Sequence, residues 1–125
     1  MNTQVALDSY AKVHYNANAE IASPHRLIDM LFEGALDRIQ QAKGAMEYKN
    51  IELRGKKVSD AVGIVGGLRE NLDREQGGEI ADNLDALYIY IQGVLTKAHF
   101  KNDPAFLDEA ADLLGELRGA WKQIG

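Results

Sequence analysis

The chain has no cysteine, which excludes disulfide staples, thiol nucleophiles and Cys-based zinc sites, and with them a c-type haem. No apolar run approaches the roughly 20 residues that span a bilayer. The opening residues, MNTQVALDSY, lack the basic start and apolar stretch of a secretory leader. A soluble, cytoplasmic protein without membrane insertion is therefore expected. Positive charge is in deficit: 14 Lys and Arg stand against 19 Asp and Glu, a net charge of −5. That balance argues against broad binding to nucleic acid or to anionic membranes. The one cluster of cations along the chain is Lys56-Lys57. Metal and nucleotide motifs are missing as well. None of His14, His25 and His99 follows a Glu by three residues, as the di-metal helical bundles require. The stretch Gly63 to Gly67 reads GIVGG, without the Lys-Ser/Thr of a phosphate loop. Spacing alone leaves open a b-type haem held by Met and His. The carboxylates read as solvated faces, with no tuned acid–base pair, so neither a cofactor nor an enzyme is expected.

Strand patterns are also absent, and helical periodicity fills the chain. Ser23 is a favoured N-cap and Pro24 fits the first helical position, where its missing N–H costs nothing. Apolar residues then recur at Leu27, Ile28, Leu31, Phe32, Ala35, Leu36, Ile39, Ala42 and Met46, spacing that predicts a first helix over 24–48. A second is expected over 51–72, with Val58, Ala61, Val62, Val65, Leu68 and Leu72 inward. Residues 73–78 read as a turn whose Gly77-Gly78 pair supplies positive φ. The third helix, 79–100, has the core stripe Ile80, Leu84, Leu87, Tyr88, Ile91, Val94, Leu95 and Ala98. Asp103 and Pro104 repeat the cap signal and open a fourth helix over 104–124, with Leu107, Ala110, Leu114, Leu117, Trp121 and Ile124 inward. Residues 1–22 form an arm carrying Leu7, Tyr10, Val13 and Tyr15, and the pattern also allows a short helix there. The fold class is all-α: one domain over 1–125, an antiparallel four-helix bundle with a short N-terminal arm or helix.

The outer faces of these helices differ. The first shows Arg26, Glu33, Asp37 and Gln40 opposite its core, and the fourth Asp112, Glu116 and Gln123. The third shows Ala86, Ile89, Gly93, Thr96 and Phe100 after a single charge at Asp82. A helix apolar nearly all round is buried or binds something. The second helix adds Gly63, Gly67 and Ile64 away from its stripe, where small residues let another backbone come close. The candidate contact residues are therefore Ile64, Gly67, Ala86, Ile89, Tyr90, Gly93 and Thr96. Cover by the arm, a homodimer contact and a partner groove all remain open, and the groove is favoured.

Three blocks carry a family resemblance: Ser23 to Leu36 (SPHRLIDMLFEGAL), Gly77 to Leu84 (GGEIADNL) with Leu87, Tyr88 and Tyr90 after it, and Ala120 to Ile124 (AWKQI). They resemble the FliS-type flagellar secretion chaperones, and the likeness runs from Tyr10 to Ile124. The resemblance implies a cytoplasmic, non-enzymatic helical bundle. Its partner would be the C-terminal segment of flagellin, which it would shield from premature polymerisation and keep ready for type III export. Export-gate components are a further candidate partner. The resemblance also implies that the arm, through Leu7 and Tyr10, can lie over part of the flagellin site. The alternative is a self-associating structural bundle with no flagellin client.

Overall fold

The computed structural model describes residues 23–124. The expected arm over 1–22, with Leu7 and Tyr10, lies outside the described residues. Four helices account for nearly all of the rest: α1 (Pro24–Glu47), α2 (Ile51–Glu70), α3 (Arg74–Lys101) and α4 (Pro104–Ile124). Each start is capped by the residue before it. Ser23 Oγ accepts from Arg26 N at 3.1 Å, Asn50 Oδ1 from Leu53 N at 3.1 Å, Asp73 Oδ1 from Gln76 N at 3.1 Å and Asp103 Oδ1 from Ala105 N at 2.9 Å. These bonds satisfy amides that no helix can satisfy internally. The connections are two or three residues long, so consecutive helices run antiparallel and pack side by side. α4 returns to α1, closing a ring in which α1 with α3 and α2 with α4 are diagonals.

One core fills the ring. It comprises Leu31, Phe32, Ala35 and Ile39 of α1, Val58, Ala61, Val65 and Leu68 of α2, Tyr88, Ile91, Leu95 and Ala98 of α3, and Leu107, Ala110 and Leu114 of α4. Phe32 and Tyr88 meet across the diagonal with ring centroids 6.5 Å apart. Buried alanines on every helix let the backbones approach, and each fully buried Leu or Ile contributes about 1.5–3 kcal/mol.

The structure departs from the sequence reading at α3. The turn expected over 73–78 already holds helix from Arg74, because Asp73 caps a first turn of its own. The break falls at Gly78 alone, with φ 50° and ψ −123°, a conformation that L side chains avoid. Ile80, expected in the core, is exposed in the turn after that break, and Ala81 is buried in its place. Ile124, at the last turn of α4, is exposed as well. Trp121, its neighbour on the expected stripe, packs against the core and stacks on His25 of α1, so the stripe ends there, one turn short of the helix end.

Candidate functional site

The flanks of α3 fix which of its faces looks outward. On the α2 side, Asp85 accepts from Arg69 Nε at 2.8 Å and from Arg74 at 3.2 Å, and Gln92 Nε2 donates to the Val62 carbonyl at 3.1 Å. His99 follows one heptad later and accepts from Arg54 Nε at 3.1 Å. On the α4 side, the Tyr90 hydroxyl donates to Glu109, which pushes the phenol above its ordinary pKa, and Lys97 lies 5.7 Å from the Phe106 ring centroid. Tyr88, Ile91, Leu95 and Ala98 point into the core. What remains is a strip of Ala86, Ile89, Gly93 and Thr96, all exposed, with Ile89 showing 49% of its surface. Thr96 turns its hydroxyl back onto the Gln92 carbonyl at 3.0 Å, which leaves its methyl group outward. Nothing stands within 4 Å of where a Gly93 side chain would begin, so another backbone can come close there.

The other candidate residues are placed differently. Tyr90 is exposed at the edge of the strip. Ile64 is half-buried against the core. Gly67 is buried, and its carbonyl accepts from the Asn71 side chain at 2.8 Å. The structure therefore gathers the α3 residues on one face and leaves the two α2 residues off it. Leu7 and Tyr10 lie outside the described residues.

Sequence reading missed a polar cluster. The carboxylates were expected on solvated faces, yet Asp29 is only 5% exposed. Arg118 of α4 reaches it with Nε at 2.9 Å, Arg26 Nη1 donates at 2.7 Å, and Arg118 also binds Glu33 at 3.3 Å. The Arg118 hydrogen bond holds the Asp29 carboxyl below its ordinary pKa, against the opposing push of burial. One turn nearer the end of the bundle, His25 and Trp121 stack with ring centroids 4.7 Å apart. Trp121 Nε1 donates to the His25 carbonyl at 2.9 Å, and His25 Nε2 stands 2.8 Å from the Trp121 carbonyl. A cleft of about 390 Å³, lined by Pro24, Leu27, Ile28 and Asn71, opens beside that pair. The sequence carried no signal for either contact, because the partners are 89 and 96 residues apart.

Among the described residues, no three His, Asp or Glu stand together to hold a metal ion, and no helix is long and apolar enough to cross a membrane. The geometry offers contact surface.

Comparison with known proteins agrees with this picture. A sequence model of the family described as "Flagellar protein FliS" matches residues 6–125. The chain is 45% identical over 124 residues to the flagellar secretion chaperone FliSB of Pseudomonas aeruginosa, covering 99% of this chain and 98% of that one. It is 40% identical over 119 residues to the flagellar secretion chaperone FliS of Vibrio cholerae, with 95% and 88% covered. The FliS of Salmonella typhimurium is 39% identical over 125 residues, with 99% and 93% covered.

Proposed function

The chain belongs to the FliS family, and from that premise we propose that it is a flagellar secretion chaperone whose client is the C-terminal segment of flagellin, held along the outer strip of α3. The observation that carries the reading is the strip itself. A bundle that buries its core residues almost completely leaves Ala86, Ile89, Gly93 and Thr96 in the open over nearly three helical turns, about 15 Å. An apolar strip on a helix takes an amphipathic partner in the helix-in-groove manner. A segment that cannot bury its own apolar face assembles or aggregates, and covering that face delays assembly by mass action, without nucleotide or cofactor. The activity belongs in the cytosol, where subunits wait for export, and components of the export gate are the natural receivers of the complex.

Titration with a flagellin C-terminal peptide tests the assignment. Ile89→Asp puts a charge into a contact that excludes water and should weaken binding by about 2–3 kcal/mol, roughly a hundredfold in Kd. Equal affinity of parent and variant would remove the strip from the site. Sedimentation of the chain alone separates the other reading: a dimer that Ile89→Asp dissociates, with no peptide bound by either protein, would make the strip a contact between copies of this chain.

A further inference from the structure

The C-terminus of α1, the N-terminus of α2 and the C-terminus of α3 meet at one end of the bundle. Arg54 ties the last two: its Nε donates to His99 and its Nη1 donates to Asn102 Oδ1 at 2.6 Å. This end is basic in an acidic chain. Between Arg38 and Lys57 stand six cations and two acids, Glu47 and Glu52, a net of +4. α3 brings Lys97 and Lys101 to the same end and the start of α4 brings Asp103, Asp108 and Glu109, which leaves a net of +3 there. The opposite end is acidic, with six acids and two cations between Arg69 and Asp85, a net of −4. A helix the length of α1 separates the two ends, about 36 Å. The Debye length at physiological ionic strength is only about 8 Å, so the acidic end does not cancel the field at the basic one. Along the sequence only Lys56-Lys57 stood out; the antiparallel fold adds Lys97 and Lys101 to the cations of 38–57.

The same end carries large apolar side chains. Tyr48 is 85% exposed, Phe100 80% and Ile51 64%. Lys43 is held by Asp108 at 2.7 Å and Lys56 by Asp60 at 3.2 Å. Among the described residues, no carboxylate lies within ion-pair distance of Lys49, Lys57, Lys97 or Lys101.

We propose that this end docks on an anionic bilayer surface, with Tyr48, Ile51 and Phe100 entering the headgroup layer and the lysines meeting its phosphates. Two observations favour lipid over an acidic protein. The apolar residues stand out at the end of a bundle, which suits a flat surface they can enter. The cations are mainly lysine, and the two arginines are occupied, Arg38 with Asp60 at 3.8 Å and Arg54 with His99 and Asn102. Protein interfaces enrich arginine and deplete lysine. Lysine stems lie along apolar surface while the ammonium reaches outward, and tyrosine settles at the membrane–water boundary. Such docking is peripheral and needs no spanning helix.

Co-flotation with vesicles tests this. The chain should float with phosphatidylcholine vesicles that contain phosphatidylglycerol, stay behind with phosphatidylcholine alone, and detach as salt is raised. Lys49→Gln with Lys57→Gln should weaken vesicle binding about 25-fold, at about fivefold for each lysine near the surface. Both lysines lie outside the α3 strip, so the double variant should keep the affinity of the parent for the flagellin peptide. Absence from anionic vesicles, equal binding to neutral ones, or insensitivity to the double variant would overturn the proposal. Binding of a glutamate-rich amphipathic peptide in place of vesicles would overturn it too and assign this end to an acidic protein segment.

Discussion

The seam between α1 and α4 and the outer face of α3 both depart from the usual partition of polar and apolar residues, in opposite senses. At the seam a carboxylate goes inside; on α3 a row of apolar side chains stays outside. The seam settles its departure internally. Asp29 meets Arg118 and Arg26, Arg118 also meets Glu33, and the resulting ion pairs offset the cost of burial. The α3 strip has no such compensation among the described residues, and the nearest polar groups face sideways to α2 and α4. A departure answered within the fold contributes to stability. One left unanswered points outward, to a partner. Stability measurements and binding measurements should therefore respond to different residues.

Removing the answer at the seam should have the largest effect. Arg118→Ala leaves the buried Asp29 with Arg26 and should cost about 3 kcal/mol in chemical denaturation at neutral pH. Because folding depresses the Asp29 pKa, its pairing contributes stability above the unfolded value of about 3.9 and loses it as the pH falls through the folded one. The gap between parent and variant should narrow in acid. A gap unchanged down to acid pH would mean that the Asp29 charge is not what Arg118 stabilises.

The neighbouring residues Tyr88 and Ile89 sharpen the contrast within one turn of α3. Burial pushes the Tyr88 phenol from 10.0 up to about 12. A raised folded pKa means stability that is whole below about pH 10 and lost as the pH climbs through 12, by about 2–3 kcal/mol. Tyr88→Phe should remove that alkaline loss and change little at neutral pH. If the variant and the parent weaken alike in alkali, Tyr88 does not titrate with unfolding. At the end of the seam, Trp121→Phe keeps a ring to stack on His25 and drops the bond to its carbonyl, for about 1 kcal/mol in the same measurement. The smallest stability change belongs to the strip. Ile89→Asp should stay within about 0.5 kcal/mol of the parent in melts, although it is the variant expected to lose the client peptide. A large loss of stability there would erase the distinction between the two regions.

The helices and the strip were legible in the sequence because both are local matters. Ser23-Pro24 and Asp103-Pro104 announce helix starts within two residues. Once Tyr88 and Ile91 are taken as inward, a turn of about 100° per residue puts Ile89, Gly93 and Thr96 outward. Gly78 was legible as a break, but the turn of helix before it depends on Asp73 acting as a cap, which competes with the glycines for the same few residues. Nothing local in the sequence separates the buried Asp29 from the carboxylates on the solvated faces. What distinguishes it is an arginine on another helix, and the basic end likewise gains Lys97 and Lys101 only once α3 lies antiparallel to α2.

The closed ring also has a kinetic side. α1 with α2, α2 with α3 and α3 with α4 are hairpins that form between chain neighbours. Only the fourth contact joins the two ends of the fold, linking residues 96 apart at His25 and Trp121. Closing so long a loop costs more entropy than closing any hairpin, so this contact is expected late in folding and early in unfolding. The Asp29–Arg118 pair then sets how long the native state lasts more than how fast it is reached: losing it should speed unfolding and leave the folding rate nearly unchanged.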